Sequence, residues 1–167
     1  MAGPVASVLT RTKLTDEQVT SLRDGIRRMA DSVNGSDFWL KQRPFMLIVG
    51  PEYPEAMSEV LENGLPELLG WPPGDVVTFA AMCNGDEDHR LLARLCIDLA
   101  EKHAGIVDFG GHLSIHPRAE NGEPGKAARA ENPAGLVGTL FATSCSHYGD
   151  VAFARSWLQH ADFRMVK

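Results

Sequence analysis

Three cysteines and six histidines are the residues of this sequence best suited to chemistry. Cys83 ends a predicted strand just before a predicted helix start, a position at which a thiol can act as a nucleophile. Asp86, Glu87 and Asp88 follow it, and their negative charge opposes a thiolate. A general base such as His112 would have to come from elsewhere in the chain. A buried, inert cysteine is the simpler interpretation, and a small hydrolase or transferase using Cys83 or a histidine cluster is the alternative.

Two short histidine and cysteine spacings raise the question of a metal site. His112 and His116 are four residues apart, and Cys145 and His147 are two apart. Zinc requires three or four ligands that converge on the ion. The two histidines fall on a predicted strand exit and loop, so their spacing does not place them on one helix face. We therefore expect no metal, and without a glycine-rich phosphate loop we expect no other cofactor.

The clearest pattern in the sequence is a stretch, residues 44–89, with nine acids and no lysine or arginine. All 16 bases and the other 13 acids lie outside it, so the stretch contributes −9 and the rest of the chain +3 to the net charge of −6. The acids of the stretch are Glu52, Glu55, Glu59, Glu62, Glu67, Asp75, Asp86, Glu87 and Asp88.

Four of these glutamates, Glu52, Glu55, Glu59 and Glu62, follow one another at helical spacing. On a helix they would line one face and repel one another by a few tenths of a kcal/mol per pair. Such a face brings no stability, but it is suited to meet a basic protein. The alternative is a solvated helix face. The acids at 86–88 fit the positive end of a helix dipole as well as they fit a partner.

Hydrophobic periodicity predicts the elements that carry these residues. A capping box at Thr15–Gln18 starts a helix that we expect to end near Asn34 and Gly35. Further helices are predicted at 54–69, with a break at 64–66, at 87–103, and after the cap Asp150. Strands are predicted at 5–9, 38–40, 45–49, 75–83, 106–109 and 136–143, the first at a sheet edge and the third in its centre.

The order of these elements favours an α+β fold: a single mixed or antiparallel sheet with helices packed mainly on one face. The length of 167 residues fits a single domain, 1–167. Residues 116–133 are rich in Pro, Gly and charge, which predicts a mobile loop. The three tryptophans, Trp39, Trp71 and Trp157, are expected in or near the core.

Composition also limits the partners and the compartment. An acidic protein is repelled by phosphate backbones and anionic lipid, so we expect neither nucleic-acid nor membrane binding. An odd number of widely spaced cysteines argues against a disulfide framework. With no signal-peptide pattern at the N-terminus, the sequence indicates a cytoplasmic protein.

Three blocks of sequence carry a family resemblance. They are Gly3-Pro4 before an apolar strand, residues 81–90 (AMCNGDEDHR) followed by a leucine-rich helix and 105–111 (GIVDFGG), and the ending 157–167. Together they resemble an uncharacterised bacterial family of small acidic proteins. That family is similar to the immunity proteins of polymorphic-toxin systems, which bind and neutralise a cognate toxin.

The resemblance implies an immunity-like binding protein rather than an enzyme. Its partner would be a toxin domain, basic and nuclease-like, that the protein occludes through its acidic surface. We predict that the contacts are Glu52, Glu55, Glu59, Glu62, Asp86, Glu87 and Asp88.

Overall fold

The computed structural model describes residues 3–50, 54–62, 64–114 and 126–166. These residues form one antiparallel sheet of nine strands in the order β2-β3-β4-β5-β1-β6-β9-β8-β7, together with five helices. The α+β prediction is confirmed. The strands are β1 (Val5–Thr10), β2 (Ser32–Asn34), β3 (Asp37–Leu40), β4 (Arg43–Val49), β5 (Asp75–Ala81), β6 (Ile106–Asp108), β7 (Ala128–Ala130), β8 (Leu140–Ala142) and β9 (His147–Gly149). The helices are α1 (Asp16–Met29), α2 (Pro54–Glu62), α3 (Leu65–Leu69), α4 (Asp86–Lys102) and α5 (Val151–Leu158).

The two faces of the sheet carry different helices. Neighbouring residues of a strand point to opposite faces, and in β1 they do so between two separate cores. Val8 packs in a large core with residues of α1, α4 and α5. Leu9 packs in a smaller core with Val60 of α2 and Leu65 of α3. Three helices therefore cover one face and two short ones cover part of the other, as the prediction of helices mainly on one face requires.

Strand β1 lies in the middle of the sheet, so its prediction as an edge strand was wrong. It pairs with β5 along its whole length, from Val5 opposite Ala80 to Thr10 opposite Asp75. On its other side it pairs with β6, with Ser7 opposite Asp108. A short apolar run is typical both of a strand paired on one side and of a strand paired on both, so the sequence alone does not distinguish them.

Helix α1 begins where the sequence predicts and ends five residues early. Thr15 and Gln18 form the capping box at its start. The helix ends at Met29, because the following residues form β2 and pair with β3. Gly35, with φ of 63°, lies in the tight turn between these two strands. The predicted helix end near Asn34 and Gly35 was therefore wrong, and it concealed a strand of three residues.

The C-terminal third contains strands that the sequence did not reveal. The predicted mobile loop, 116–133, falls partly outside the described residues, but its last part includes β7, which pairs with β8. Strand β9 pairs with both β8 and β6. After α5 the chain returns to the body. There the Trp157 indole donates a hydrogen bond to the carbonyl of Arg164 (3.0 Å), and Met165 is buried.

Candidate protein-binding surface

Helices α2 and α3 carry the first part of the acidic stretch on the less covered face of the sheet. The break predicted at 64–66 is present: Gly64 adopts a left-handed conformation (φ 74°), and Pro66 lies in the first turn of α3. Val60 and Leu65 turn inward and pack on Leu9, Val76 and Tyr148. This packing fixes which side of each short helix faces solvent.

The outward side of these helices combines acids with exposed leucines. Leu61 is 48% exposed and Leu68 is 41% exposed. Glu62 and Glu67 are exposed beside them in the chain, and neither forms an ion pair with a described residue. We call these four residues the α2–α3 surface. It joins unpaired negative charge to apolar area that the fold itself leaves unburied.

The other predicted glutamate contacts are less completely placed. Glu55 and Glu59 lie within α2, where the structure describes the backbone but not their side chains. Glu52 lies outside the described residues. Glu55 and Glu59 are four residues apart, and Glu59 and Glu62 three apart, so the helix gives them one face by spacing. Ala127 packs into the same small core, so its neighbour in the chain, Lys126, brings a base close to these helices.

The acids at the start of α4 belong to a different part of the molecule. Asp86 pairs with Arg164 (2.9 Å) and Glu87 with Lys41 (2.6 Å). The hydrogen bond from Lys41 lowers the pKa of Glu87. Both carboxylates therefore carry their own cation, which reduces the negative charge that they offer to a partner.

Asp88 is fully buried, so it is not available as a surface contact. Its Oδ2 accepts hydrogen bonds from the Gly85 amide (2.7 Å) and from Arg43 (2.9 Å). The first of these caps α4. We correct the predicted contact set accordingly: Asp88 positions the helix start and does not face a partner.

The two acidic groups do not form one continuous surface. Helices α2 and α3 pack near the first residues of β5, at Val76, whereas α4 begins after its last residue, Ala81. A strand of seven residues is roughly 20 Å long. Helix α4 also packs on the opposite face of the sheet. The stretch is continuous in sequence and divided in space.

The cysteines and histidines do not assemble as a nucleophile and its base within the described residues. Cys83 is exposed after β5, so the expectation of a buried cysteine was wrong. No hydrogen bond joins its thiol to His112 or His147. The ring of His112 meets the ring of His147 edge-on at 4.9 Å. His116 lies outside the described residues.

A polar cluster at the end of β6 instead ties the sheet to the hairpin of β8 and β9. Asp108 accepts hydrogen bonds from the Gly110 amide (2.9 Å) and from the Ser146 hydroxyl. His147 is buried and accepts the Leu113 amide at Nδ1 (2.9 Å). Ser146 is buried beside His147, so these hydrogen bonds hold the junction together away from solvent.

Two further properties of the described residues bear on function. No three or more of their His, Cys, Asp and Glu side chains converge as ligands for a metal ion. Among the described helices, none combines the length and the apolar character needed to cross a bilayer.

The fold and this surface define an α+β protein with a single antiparallel sheet and a mixed acidic and apolar patch. The chain belongs to DUF6368, a family of unknown function, whose model matches residues 2–167. No curated protein and no solved structure shows significant similarity to it.

Proposed function

We propose that this protein binds a basic protein partner through the α2–α3 surface and neutralises it by occlusion, as immunity proteins do. The observation that carries the proposal is the exposure of Leu61 and Leu68 beside Glu62 and Glu67. Protein interfaces place apolar anchors at the centre and charge at the rim. The lack of any lysine or arginine from 44 to 89 supports a basic partner.

The two leucines can supply only a small part of the binding free energy of a stable complex. Full burial of a leucine is worth roughly 2 kcal/mol. Leu61 and Leu68 are each about half exposed, so together they would contribute roughly 2 kcal/mol on docking. A stable complex would therefore extend to the neighbouring glutamates and bury an area of about 1,600 Å². The acidic rim would raise the association rate and make it sensitive to salt.

The immunity role rests on the sequence resemblance and on the charge of this surface. A nuclease domain carries a basic face for its substrate, and an acidic protein that covers this face blocks access. The three cysteines are free thiols, which fits a reducing compartment such as the cytoplasm, where a toxin would have to be neutralised.

The test is co-expression with the product of the neighbouring gene, followed by co-purification and titration calorimetry at low and high salt. The double variant Glu62→Lys with Glu67→Lys should weaken binding at least about tenfold, because rim charges steer and stabilise the complex. Leu61→Ser with Leu68→Ser should also weaken binding. The matched control is Glu17→Lys, an exposed glutamate at the start of α1.

Two results would contradict the proposal. One is that no neighbouring gene product, and no basic protein at low salt, is retained by the wild-type protein. The other is that Glu17→Lys, which reverses one charge, costs about half the binding free energy that the double reversal costs, which would mean that only the total charge matters.

The catalytic alternative lacks a supporting observation in the described part of the chain. Cys83 is exposed, but its thiol has no histidine within hydrogen-bond reach. His147 is buried and its Nδ1 is occupied by a backbone amide. We therefore propose no hydrolase or transferase activity.

A further inference from the structure

A cavity of about 340 Å³ lies beside α1, on the face of the sheet opposite the α2–α3 surface. Its apolar wall is formed by Ile26, Phe38 and Leu47, and Val33 closes one side. The cavity exists because α1 stands away from the sheet: of its 14 residues, only Ile26 is buried. The hairpin of β2 and β3 forms the opposite wall.

The rim of this cavity is basic. Arg23 and Arg27, four residues apart on adjacent turns of α1, both line it. Gly35 and Ser36, in the turn between β2 and β3, complete the rim. Neither arginine is free: Arg27 is paired with Asp24 (2.8 Å), and Arg23 has an interaction of its own, but both arginine side chains are exposed. Exposed interactions of this kind are weak, so an incoming anion can compete with them.

We propose that this cavity binds a small organic anion, with a carboxylate or sulfonate between Arg23 and Arg27 and an apolar body against Phe38 and Leu47. Arginine is the residue best suited to hold a carboxylate through two parallel hydrogen bonds. Small-molecule sites are typically apolar cavities with a few polar groups that fix orientation. This site is independent of the proposed partner surface.

The volume limits the size of the ligand. Ligand cavities span about 300–1,000 Å³, so a cavity of about 340 Å³ lies at the small end of that range. This size favours an aromatic or branched aliphatic acid over a nucleotide or a long-chain lipid. Phenylacetate is a suitable probe, because it is small and carries both the charge and the apolar ring.

The experiment is a titration of the full chain with each probe, in which heteronuclear NMR records the amide chemical shifts. Phenylacetate should produce saturable shifts at Gly35, Ser36 and the adjacent turn of α1. Two related probes separate the contributions. The neutral isostere phenylacetamide lacks the charge, and acetate lacks the apolar body. Both should bind at least about tenfold more weakly than phenylacetate, since a charge-assisted hydrogen bond or a buried ring is lost.

Variants locate the site. Arg23→Gln and Arg27→Gln should each weaken phenylacetate binding about tenfold. Arg155→Gln is the matched control, because Arg155 is also an exposed arginine in an ion pair, with Glu101 on α4. It should leave the affinity unchanged. Since all three side chains are exposed, the fold is preserved, and the neutral probe tests the wild-type chain in any case.

Four results would overturn the proposal. They are the absence of saturable shifts at tens of millimolar phenylacetate, equal affinity for phenylacetamide, equal affinity for acetate, and an equal loss of binding in Arg155→Gln. None of these results bears on the partner surface, whose acids and leucines lie on the other face of the sheet.

Discussion

Replacing Asp88 with alanine should destabilise the fold far more than the same change at Asp86. Both acids lie in the first turn of α4, and each pairs with an arginine from elsewhere in the chain. Asp88 is fully buried and bonds both Gly85 and Arg43. The Asp86 side chain is 80% exposed, and Arg164 is its one ion-pair partner among the described residues. The comparison therefore separates a structural acid from a surface acid within one helical turn.

The expected loss at Asp88 follows from its contacts. The capping bond to Gly85 is worth about 1 kcal/mol, and the charge-assisted bond to Arg43 about 2 kcal/mol. The other oxygen, Oδ1, is buried with no hydrogen-bond partner in the described part of the chain, and its removal offsets about 1 kcal/mol. Arg43 is 38% exposed, so water can solvate it after the change and no buried charge is stranded. The net loss should be about 2 kcal/mol.

The assay is urea unfolding followed by circular dichroism, with thermal melts as a second measurement. A loss of about 2 kcal/mol lowers Tm by roughly 4–8 °C for a chain of this size. Asp86→Ala should cost at most about 1 kcal/mol, from its exposed pair and the helix dipole. A double-mutant cycle between Asp88→Ala and Arg43→Met should show a coupling of about 1–2 kcal/mol.

Two outcomes would refute this reasoning. If Asp88→Ala costs no more than Asp86→Ala, burial does not decide the role of these acids. If the two changes in the cycle are additive, the bond between Asp88 and Arg43 contributes nothing to stability.

Two further predictions concern titration and thiol reactivity. Burial lowers the pKa values of His89 and His103, so in acid the unfolded chain takes up protons that the folded chain excludes. The free energy of unfolding should therefore be at its full value above about pH 6.5 and fall as the pH drops from there towards the lowered pKa values. The fall should be up to about 1.4 kcal/mol per pH unit for each histidine. Urea midpoints measured across this range should show the fall, and a flat profile would contradict it. Exposed Cys83 and Cys145 should react with a thiol reagent in the native protein, whereas Cys96, which is buried and whose pKa is raised by that burial, should react only in denaturant; three equally fast thiols would show that α4 is not stably packed.

The sequence predicts the longer elements well because their signals are local. The capping box at Thr15 starts α1, the acids at 86–88 start α4, and Asp150 caps α5. The predictions fail where the decision is made by distant residues. Strands β2, β7 and β9 have three residues each, too few for a recognisable period, and they exist because a neighbouring strand pairs with them.

The candidate site shows the same division. The sequence locates the acids, and the helical spacing of Glu55, Glu59 and Glu62 holds on the backbone of α2. It could not show that the acids at 86–88 would meet Lys41, Arg43 and Arg164, because these bases are about 45 to 80 residues away along the chain. Nor could it show that α2 and α4 lie on opposite faces of the sheet.

The central position of β1 has a consequence for how the chain is made. Val5 pairs with Ala80, and Ser7 with Asp108, so the partners of β1 follow it by 75 and 101 residues. At a synthesis rate of roughly 5–20 residues per second, β1 waits about 5–20 s for both neighbours. During that time its apolar residues and both unpaired edges are open to other chains. The middle of the sheet is therefore paired only once residue 108 has been made, and newly made protein should depend on chaperones more than its size alone suggests.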